Sequence, residues 1–352
     1  MAGCGIRSTE PPGSPPQATS DPLDHEGYSV CAWYPDYDQK RAFASLQIGV
    51  SAMTEVNPVW YNLDADGRIQ RLYGAEDPAL VAVARQNGIR IVPVVLNCSG
   101  GRFDPAPVLH ILGSFQRIRA HAESLAALVR AHGFDGIELD YELLPSEASA
   151  GFTQLVAETR RVLPEGAGLS LAVHPKTSAA QNWAGPGAQN WEELLPFVDR
   201  FKIMLYDYSW STGSPGPIAP LNWSRQVLDY ALSVAGSNHA GRVFMGIPVY
   251  GWDWSSLGPA KEAIFEDVQK LLSTKDITIL ESKRDESSNE PMLRYGKTGV
   301  EQITYYQDVQ ALQGRIHLIH NHFPQIGGVA LWRLGGEDPS VWEALRLLRK
   351  SL

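Results

Sequence analysis

The chain of 352 residues contains only three cysteines, Cys4, Cys31 and Cys98, and no Cys-x-x-Cys pair. Three cysteines are too few for a disulfide scaffold, and their spacing does not indicate a zinc site. Basic residues are also in deficit, since 30 lysines and arginines face 39 acidic residues and leave a formal net charge of −9. An acidic chain is not expected to bind nucleic acid or an anionic membrane surface as its main partner.

No apolar run approaches the ~18–20 residues that a transmembrane helix requires. No glycine-rich phosphate loop follows the first predicted strand, which weighs against a dinucleotide-binding fold. Hydrophobic residues nevertheless make up 44% of the chain, which is enough for a sizeable core. The 10 Trp and 13 Tyr are compatible with carbohydrate binding. We expect no cofactor and no metal ion.

The first 26 residues differ in composition from the rest of the chain, because five prolines stand among Gly, Ser and Thr. Such a segment cannot bury enough surface to offset its ordering entropy, so we predict a disordered tether over 1–26. Its start, Met1-Ala2-Gly3-Cys4, resembles the end of a bacterial lipoprotein signal, although the preceding basic and apolar regions are missing. Two interpretations stay open: a lipidated Cys4 that anchors an extracellular enzyme to a membrane, and a chance cysteine.

Short β-branched or apolar runs alternate with helical patterns from residue 27 onward. The predicted strands are 28–34, 48–53, 90–97, 134–141, 168–173, 199–206, 243–249 and 326–333. Between them, residues 114–132 predict a helix, because Ser114 can cap its start, apolar residues recur at helical spacing and Gly133 can end it. Repeated alternation implies a parallel sheet, and the count of eight favours an α/β fold of the (β/α)₈ TIM-barrel type.

About 75 residues separate the seventh and eighth predicted strands, which is too many for one helix. Within them, residues 277–281, 292–296 and 300–306 resemble additional short strands. We therefore predict a small β-rich insertion over about 255–306, on the catalytic face of a single hydrolase domain that spans 27–352. We expect this domain to be a monomer.

The fourth predicted strand carries three acidic side chains, Glu138, Asp140 and Glu142. Alternate residues of a strand share a face, so these carboxyls follow one another at about 6.6 Å. At an effective dielectric of about 20, neighbouring charges at that spacing repel by roughly 2.5 kcal/mol, or about two pKa units. At least one carboxyl is therefore expected to stay protonated near neutral pH, which is the state that a general acid requires.

Two other interpretations of the acidic strand are weaker. A solvated edge strand fits poorly with the apolar Ile137 and Leu139 on the other face. A metal site lacks support because no histidine lies nearby in the sequence. The cluster of His317, His320 and His322 is better explained as part of a helix surface or a loop.

The segment 134–142 resembles the DGxDxDxE signature of glycoside hydrolase family 18, the chitinase-like enzymes. Asp135, Gly136, Asp140 and Glu142 match this signature, whereas Glu138 stands where the family usually has Asp. Three further segments resemble family motifs in the family's order. They are Met204-Leu205-Tyr206-Asp207, Gly246-Ile247-Pro248-Val249-Tyr250-Gly251 and Trp332, at the ends of the sixth, seventh and eighth strands. The resemblance spans roughly residues 28–350 and is nearest to bacterial spore-germination and cell-wall hydrolases.

The resemblance implies retaining hydrolysis of a β-linked N-acetylglucosamine polymer, chitin or peptidoglycan, with the substrate's own N-acetyl group as nucleophile. It implies that Glu142 is the acid and base, and that Asp140 hydrogen-bonds the acetamido N–H. It further implies that Tyr206 holds the acetamido oxygen, Asp207 orients the sugar and Trp332 stacks beneath it. The other residues expected at the substrate site are Glu138, Asp135, Met204, Tyr250, His174, Asn97 and Trp252, with His174 and Asn97 chosen by position alone.

Two rival functions remain open. One is a catalytically silent, lectin-like protein that binds chitin or peptidoglycan on the same fold, which the presence of Glu142 disfavours. The other is a glycosidase with two carboxylates, which needs a nucleophile ~5–5.5 Å from the acid on another strand. Asp207 is the obvious candidate for that nucleophile. Trp252 and Trp254 follow the seventh strand, where they either extend a sugar groove or pack against the insertion.

Overall fold

Eight parallel strands close into a barrel in the computed structural model, which describes residues 28–179 and 185–351. The strands are β1 Ser29–Tyr34, β2 Glu55–Leu63, β3 Val94–Leu96, β4 Gly136–Asp140, β5 Gly168–Val173, β6 Arg200–Ile203, β7 Val243–Pro248 and β8 Gly328–Trp332. Closure occurs at β1, which pairs with β8 through Ser29 and Gly328 and with β2 through Cys31 and Glu55. The predicted TIM barrel is confirmed.

Helices surround the barrel and cover its outer, apolar surface. They are Gln39–Gly49, Pro78–Gln86, Ala106–Leu112, Phe115–His132, Ser149–Val162, Trp191–Leu194, Leu221–His239, Val309–His322 and Val341–Ser351, and a further helix, Phe265–Ser273, lies within the insertion between β7 and β8. Short strands add to this frame: Ile69–Arg71 pairs antiparallel with β2, Arg90–Ile91 precedes β3, and Cys98–Ser99 pairs with Arg102–Phe103. No helix in the described residues is long and apolar enough to cross a membrane.

The helix Phe115–His132 forms as its sequence pattern predicts. Ser114 Oγ accepts from the Arg117 N–H at 3.3 Å, and Gly133 ends the helix in the left-handed conformation at φ 61°. Its inner face packs on β4, and His121 Nε2 lies 2.8 Å from the Tyr141 hydroxyl. This packing directs the odd-numbered residues of β4 outward, which leaves the acidic residues for the interior of the barrel.

The prediction for the second strand is wrong. Residues 48–53 end the first helix and form a turn, and β2 follows at Glu55–Leu63. The strand β2 contains Glu55, Asn57 and Pro58, and these residues are not typical of an apolar barrel strand. Glu55 and Asn57 are fully buried all the same, because the interior of this barrel holds a polar network that accepts their side chains.

A five-stranded antiparallel sheet lies between β7 and β8. Its strands follow the order Gly258–Ile264, Tyr250–Ser255, Val300–Tyr305, Pro291–Lys297 and Ile277–Arg284. The sheet begins at Tyr250, so it starts about five residues before the predicted boundary. Arg333, just after β8, fastens the sheet to the barrel because its Nη2 donates to Glu262 at 2.7 Å while Nη1 donates to Asp38 at 3.2 Å.

The predicted tether over residues 1–26, with its candidate lipidation site Cys4, lies outside the described residues. Membrane anchoring and an extracellular location therefore stay predictions.

Candidate active site

The acidic residues of β4 converge at the carboxyl-terminal end of the barrel, which is the catalytic face of TIM-barrel enzymes. Glu138 is 0% exposed, Asp140 is 8% exposed, and Glu142, two residues past the end of the strand, is 9% exposed. Ile137 and Leu139 alternate with them and belong to the apolar core outside the barrel. The period of two in the sequence therefore creates a buried column of carboxyls.

Asn97 fixes the backbone of Glu142. Its Oδ1 accepts from the Glu142 N–H at 2.9 Å, and its Nδ2 donates to the Glu142 carbonyl at 3.0 Å and to the Asp104 carbonyl at 2.9 Å. Asn97 is fully buried and its amide is engaged by these backbone groups. Its position at the carboxyl end of β3 is as predicted, but it positions Glu142 instead of facing a substrate.

The ring of His174 lies beside the carboxyl group of Glu142. Its Nε2 lies 3.0 Å from Glu142 Oε2, and both side chains are about nine-tenths buried. The backbone N–H of His174 donates to Gln189 Oε1 at 2.8 Å, and this bond holds His174 just beyond the end of β5. The structure therefore brings His174 and Glu142 together, as their positions at the ends of neighbouring strands predict.

The Asp140 carboxyl is biased toward its protonated form. Burial raises the pKa of Asp140 well above its ordinary value, and the charges of Glu142 and Glu138 and a hydrogen bond with Glu142 add to the rise. Oδ1 of Asp140 has no hydrogen-bond partner in the described part of the chain. Asp140, next to Glu142, is therefore biased toward holding a proton, in the direction that charge repulsion predicts.

Glu138 lies deeper in the barrel than this pair. Trp33 Nε1 donates to Glu138 Oε1 at 2.5 Å, and Lys202 Nζ donates to Glu138 Oε2. The expectation that Glu138 contacts substrate is not supported, because its side chain is fully enclosed by these partners. Sequence reasoning overlooked Trp33 and Lys202. The position of Lys202 between the apolar Phe201 and Ile203 of a buried strand is the sequence feature that indicates a buried acidic partner.

Asp207 is held by the insertion sheet. Tyr250 Oη donates to Asp207 Oδ1 at 2.5 Å, and Trp252 Nε1 donates to the same oxygen at 2.9 Å. Asp207 adopts φ 55°, a left-handed conformation that is uncommon outside glycine and typical of functional turns. Tyr250 and Trp252 thus contribute to the site by orienting Asp207, and Trp254 packs within the sheet, where its Nε1 donates to the Trp210 carbonyl.

Aromatic side chains surround the carboxyl pair. Tyr206 is partly buried, its ring meets that of Tyr250 edge-on at 6.1 Å, and burial together with the nearby acidic groups raises the pKa of its hydroxyl. This hydroxyl is therefore a proton donor at any physiological pH. Trp332 ends β8 with its ring 6.0 Å from that of Trp33. Met204 is buried beneath these rings in a small apolar cluster.

Asp135 does not belong to this group of residues. It precedes β4 and lies at the amino-terminal end of the barrel, where Arg85 Nη1 donates to its Oδ2 at 2.7 Å and the Ile91 N–H donates to the same atom at 2.8 Å. A substrate on the opposite face cannot reach it. Asp135 instead ties β4 to the strand Arg90–Ile91.

The histidine cluster over 317–322 lies in the helix Val309–His322, away from the catalytic face. Within the described ranges, no group of three or more His, Cys, Asp or Glu side chains could hold a metal ion.

A closed (β/α)₈ barrel that presents a proton-retaining carboxyl pair among Tyr and Trp side chains has the parts of a glycosidase. It offers a proton for a glycosidic oxygen and flat rings for the apolar face of a sugar. The model of the family "Glycosyl hydrolases family 18" matches residues 92–337, and the chain belongs to this family of glycosidases.

Known relatives agree with this assignment. The "Cortical fragment-lytic enzyme" of Bacillus anthracis is 24% identical over 309 residues, which cover 84% of this chain and 70% of that protein. The crystal structure of the Bacillus cereus spore cortex-lytic enzyme SleL matches with a TM-score of 0.82 and 22% identity, over 92% of this chain and 74% of that one. The structure of a chitinase from Chromobacterium violaceum ATCC 12472 matches with a TM-score of 0.81 and 22% identity, over 91% and 98%.

Proposed function

We propose that this glycosidase hydrolyses β-linked polysaccharides that contain N-acetylglucosamine, with retention of configuration and with the substrate's acetamido group as the nucleophile. The observation that carries the proposal is the buried pair of Asp140 and Glu142, in which one Asp140 oxygen is left without a hydrogen-bond partner among the described residues. A carboxyl oxygen at this position is suited to accept from the N–H of an acetamido group.

Glu142 serves as the acid and then as the base. In the first step its proton passes to the glycosidic oxygen, the bond from C1 to that oxygen breaks, and the acetamido carbonyl oxygen bonds to C1 to give an oxazolinium ion. In the second step the Glu142 carboxylate takes a proton from water, whose oxygen attacks C1 and reopens the ring. Asn97 and His174 hold Glu142 in place for both transfers.

Asp140 and Tyr206 stabilise the acetamido group as it reacts. Positive charge develops on the acetamido nitrogen, and a carboxyl oxygen directed at its N–H offsets that charge in a water-poor site. The Tyr206 hydroxyl can donate to the attacking carbonyl oxygen and keep it pointed at C1. Trp332 supplies the ring on which the sugar stacks.

The two rival functions fit the site less well. Asp207 is disfavoured as a carboxylate nucleophile because its Oδ1 already accepts from Tyr250 and Trp252, which suits an orienting role. A lectin-like protein has no need for an acid held by both Asn97 and His174.

Relatives named as cortex-lytic enzymes and as chitinases leave two candidate polymers, and fragment analysis distinguishes them. Chitin oligomers and purified peptidoglycan are incubated separately with the protein, and the products are identified by mass spectrometry. We expect fragments with N-acetylglucosamine at the new reducing end from at least one polymer, formed about 10²–10⁴ times more slowly by the Glu142→Gln variant. Intact polymers in both incubations would refute the proposed hydrolysis. Cleavage only after the lactyl-bearing sugar of peptidoglycan would refute the expectation that N-acetylglucosamine is the sugar at the cleaved bond.

A further inference from the structure

A lysine lies at the centre of the barrel, directly below the reacting carboxyls. Lys202 Nζ on β6 donates to Glu55 Oε1 at 2.9 Å, to Asn57 Oδ1 at 2.8 Å and to Glu138 Oε2. All of these residues are fully buried. An ammonium group has three N–H donors, and here each has its own acceptor, so Lys202 is positioned as a cation.

Both oxygens of Glu138 face groups that can only donate. Oε1 accepts from the indole N–H of Trp33, which has no acceptor atom, and Oε2 accepts from Lys202. A protonated Glu138 would direct its O–H at one of these donors and lose a hydrogen bond. The geometry therefore favours the carboxylate form of Glu138.

Lys202, Glu55, Asn57 and Glu138 form a layer across the barrel, and the charges in this layer also favour the carboxylate form of Glu138. Arg200 Nε lies 3.2 Å from Glu55 Oε2 and Arg90 Nη1 lies 3.6 Å from it, so Arg90, Arg200 and Lys202 face the two carboxyls of Glu55 and Glu138. The buried thiol of Cys31 adjoins the layer, and burial raises its pKa to about 12, so it adds no charge. Protonation of Glu138 would leave an additional uncompensated positive charge in the interior, which is costly.

Among the described residues, no cation is in hydrogen-bond contact with Asp140 in the layer above. The groups that act on Asp140 are Glu138 on its own strand and Glu142 just past the end of that strand, with Tyr206 from the segment after β6 and His174 acting through Glu142. Burial raises the pKa of Glu138 as well, but Lys202 and Trp33 limit that rise, whereas Glu142 and Glu138 add to the rise at Asp140.

We infer that Lys202 is a positioning residue that holds Glu138 as a permanent carboxylate, so that the proton of the acidic strand is confined to Asp140 and Glu142. Glu138 then acts on the reaction as a fixed negative charge. It raises the proton affinity of the pair, and it does not take a proton from Asp140. The inference rests on the proposed function for the reaction that this charge tunes.

The Glu138→Gln variant tests this inference through the pH dependence of kcat. Removing a fixed negative charge about 6.6 Å from Asp140 weakens proton binding by the pair, so the alkaline limb should move to lower pH by about one to two units. If Glu138 instead carries the shared proton, Gln replaces a neutral group and the limb stays in place, which overturns the inference.

The double variant Glu138→Gln/Lys202→Met is the matched control. It removes one negative and one positive charge, so the net charge of the layer is unchanged and the test remains available if Glu138→Gln alone fails to fold. We expect its alkaline limb to move in the same direction but less far, since a negative and a positive charge are removed together and Glu138 is the neighbour that acts on Asp140. A limb that moves to higher pH would show that only a positive charge was lost, and that Glu138 was neutral.

A titration by ¹³C NMR separates this inference from the proposed function. The Asp140 carboxyl signal, assigned by its disappearance in Asp140→Asn, is followed with pH in the native protein and in Glu138→Gln. A lower midpoint in the variant supports the fixed charge even if no N-acetylglucosamine polymer is cleaved. An unchanged midpoint rejects the fixed charge even if cleavage is normal.

Discussion

Replacing Glu142 with Gln is expected to lower kcat on an unactivated N-acetylglucosamine oligomer by about 10²–10⁴, with substrate binding retained. Gln keeps the shape of the side chain and the backbone hydrogen bonds to Asn97, but it has no proton to give to the leaving oxygen. Steady-state kinetics and calorimetric titration with the same oligomer measure the two quantities.

A substrate with an activated aryl leaving group sharpens this test, because its departure needs little protonation. We expect the Glu142→Gln variant to lose much less activity on the bond-breaking step of that substrate. Glu165→Gln is the matched control, since Glu165 is an exposed residue in the loop before β5, at the opposite end of the barrel. Near-native turnover of the unactivated oligomer by Glu142→Gln would remove Glu142 from the role of acid.

Replacing Asp140 with Asn is expected to lower kcat by about 10²–10³, the usual cost of removing one preorganised group that stabilises a developing charge. Asn cannot offset the positive charge on the acetamido nitrogen, and it cannot share a proton with Glu142. The loss should persist on the activated aryl substrate, because ring closure by the acetamido group is still required.

The contrast between the two variants distinguishes their roles. Asp229→Asn provides the control for Asp140→Asn, because Asp229 is exposed on the helix Leu221–His239. If Asp140→Asn recovers on the activated substrate to the same degree as Glu142→Gln, Asp140 assists leaving-group departure and does not stabilise the acetamido group.

The sequence predicts the barrel and the acidic strand well, because both follow from short-range periodicity. Ile137 and Leu139 alternate with Glu138 and Asp140, and only a strand with one face on the core and the other in a polar interior accommodates that pattern. The strand β2 was not predicted because its sequence lacks this short-range periodicity. Its Glu55 and Asn57 are stabilised by Lys202, a residue about 145 positions later, and no local pattern reports such a partner.

The site was predicted less completely than the fold. A motif match identifies residues near a strand without saying at which end each one lies, so it groups Asp135 with Glu142 although the length of β4 separates them. Position at the end of β3 brings Asn97 to the site, yet only the structure shows that its amide binds the Glu142 backbone. Side-chain direction and long-range partners decide these roles.

The measurement that tests the account most directly compares two oligomers that differ only in the acetamido groups. A chitin oligomer and its fully de-N-acetylated counterpart are given to the native protein, and the initial cleavage rates are measured with a thiazoline mimic of the acetamido ring as inhibitor. The account predicts cleavage of the acetylated oligomer, inhibition by the thiazoline and no cleavage of the deacetylated oligomer. Efficient cleavage of the deacetylated oligomer would contradict it, because the nucleophile would then have to come from the protein.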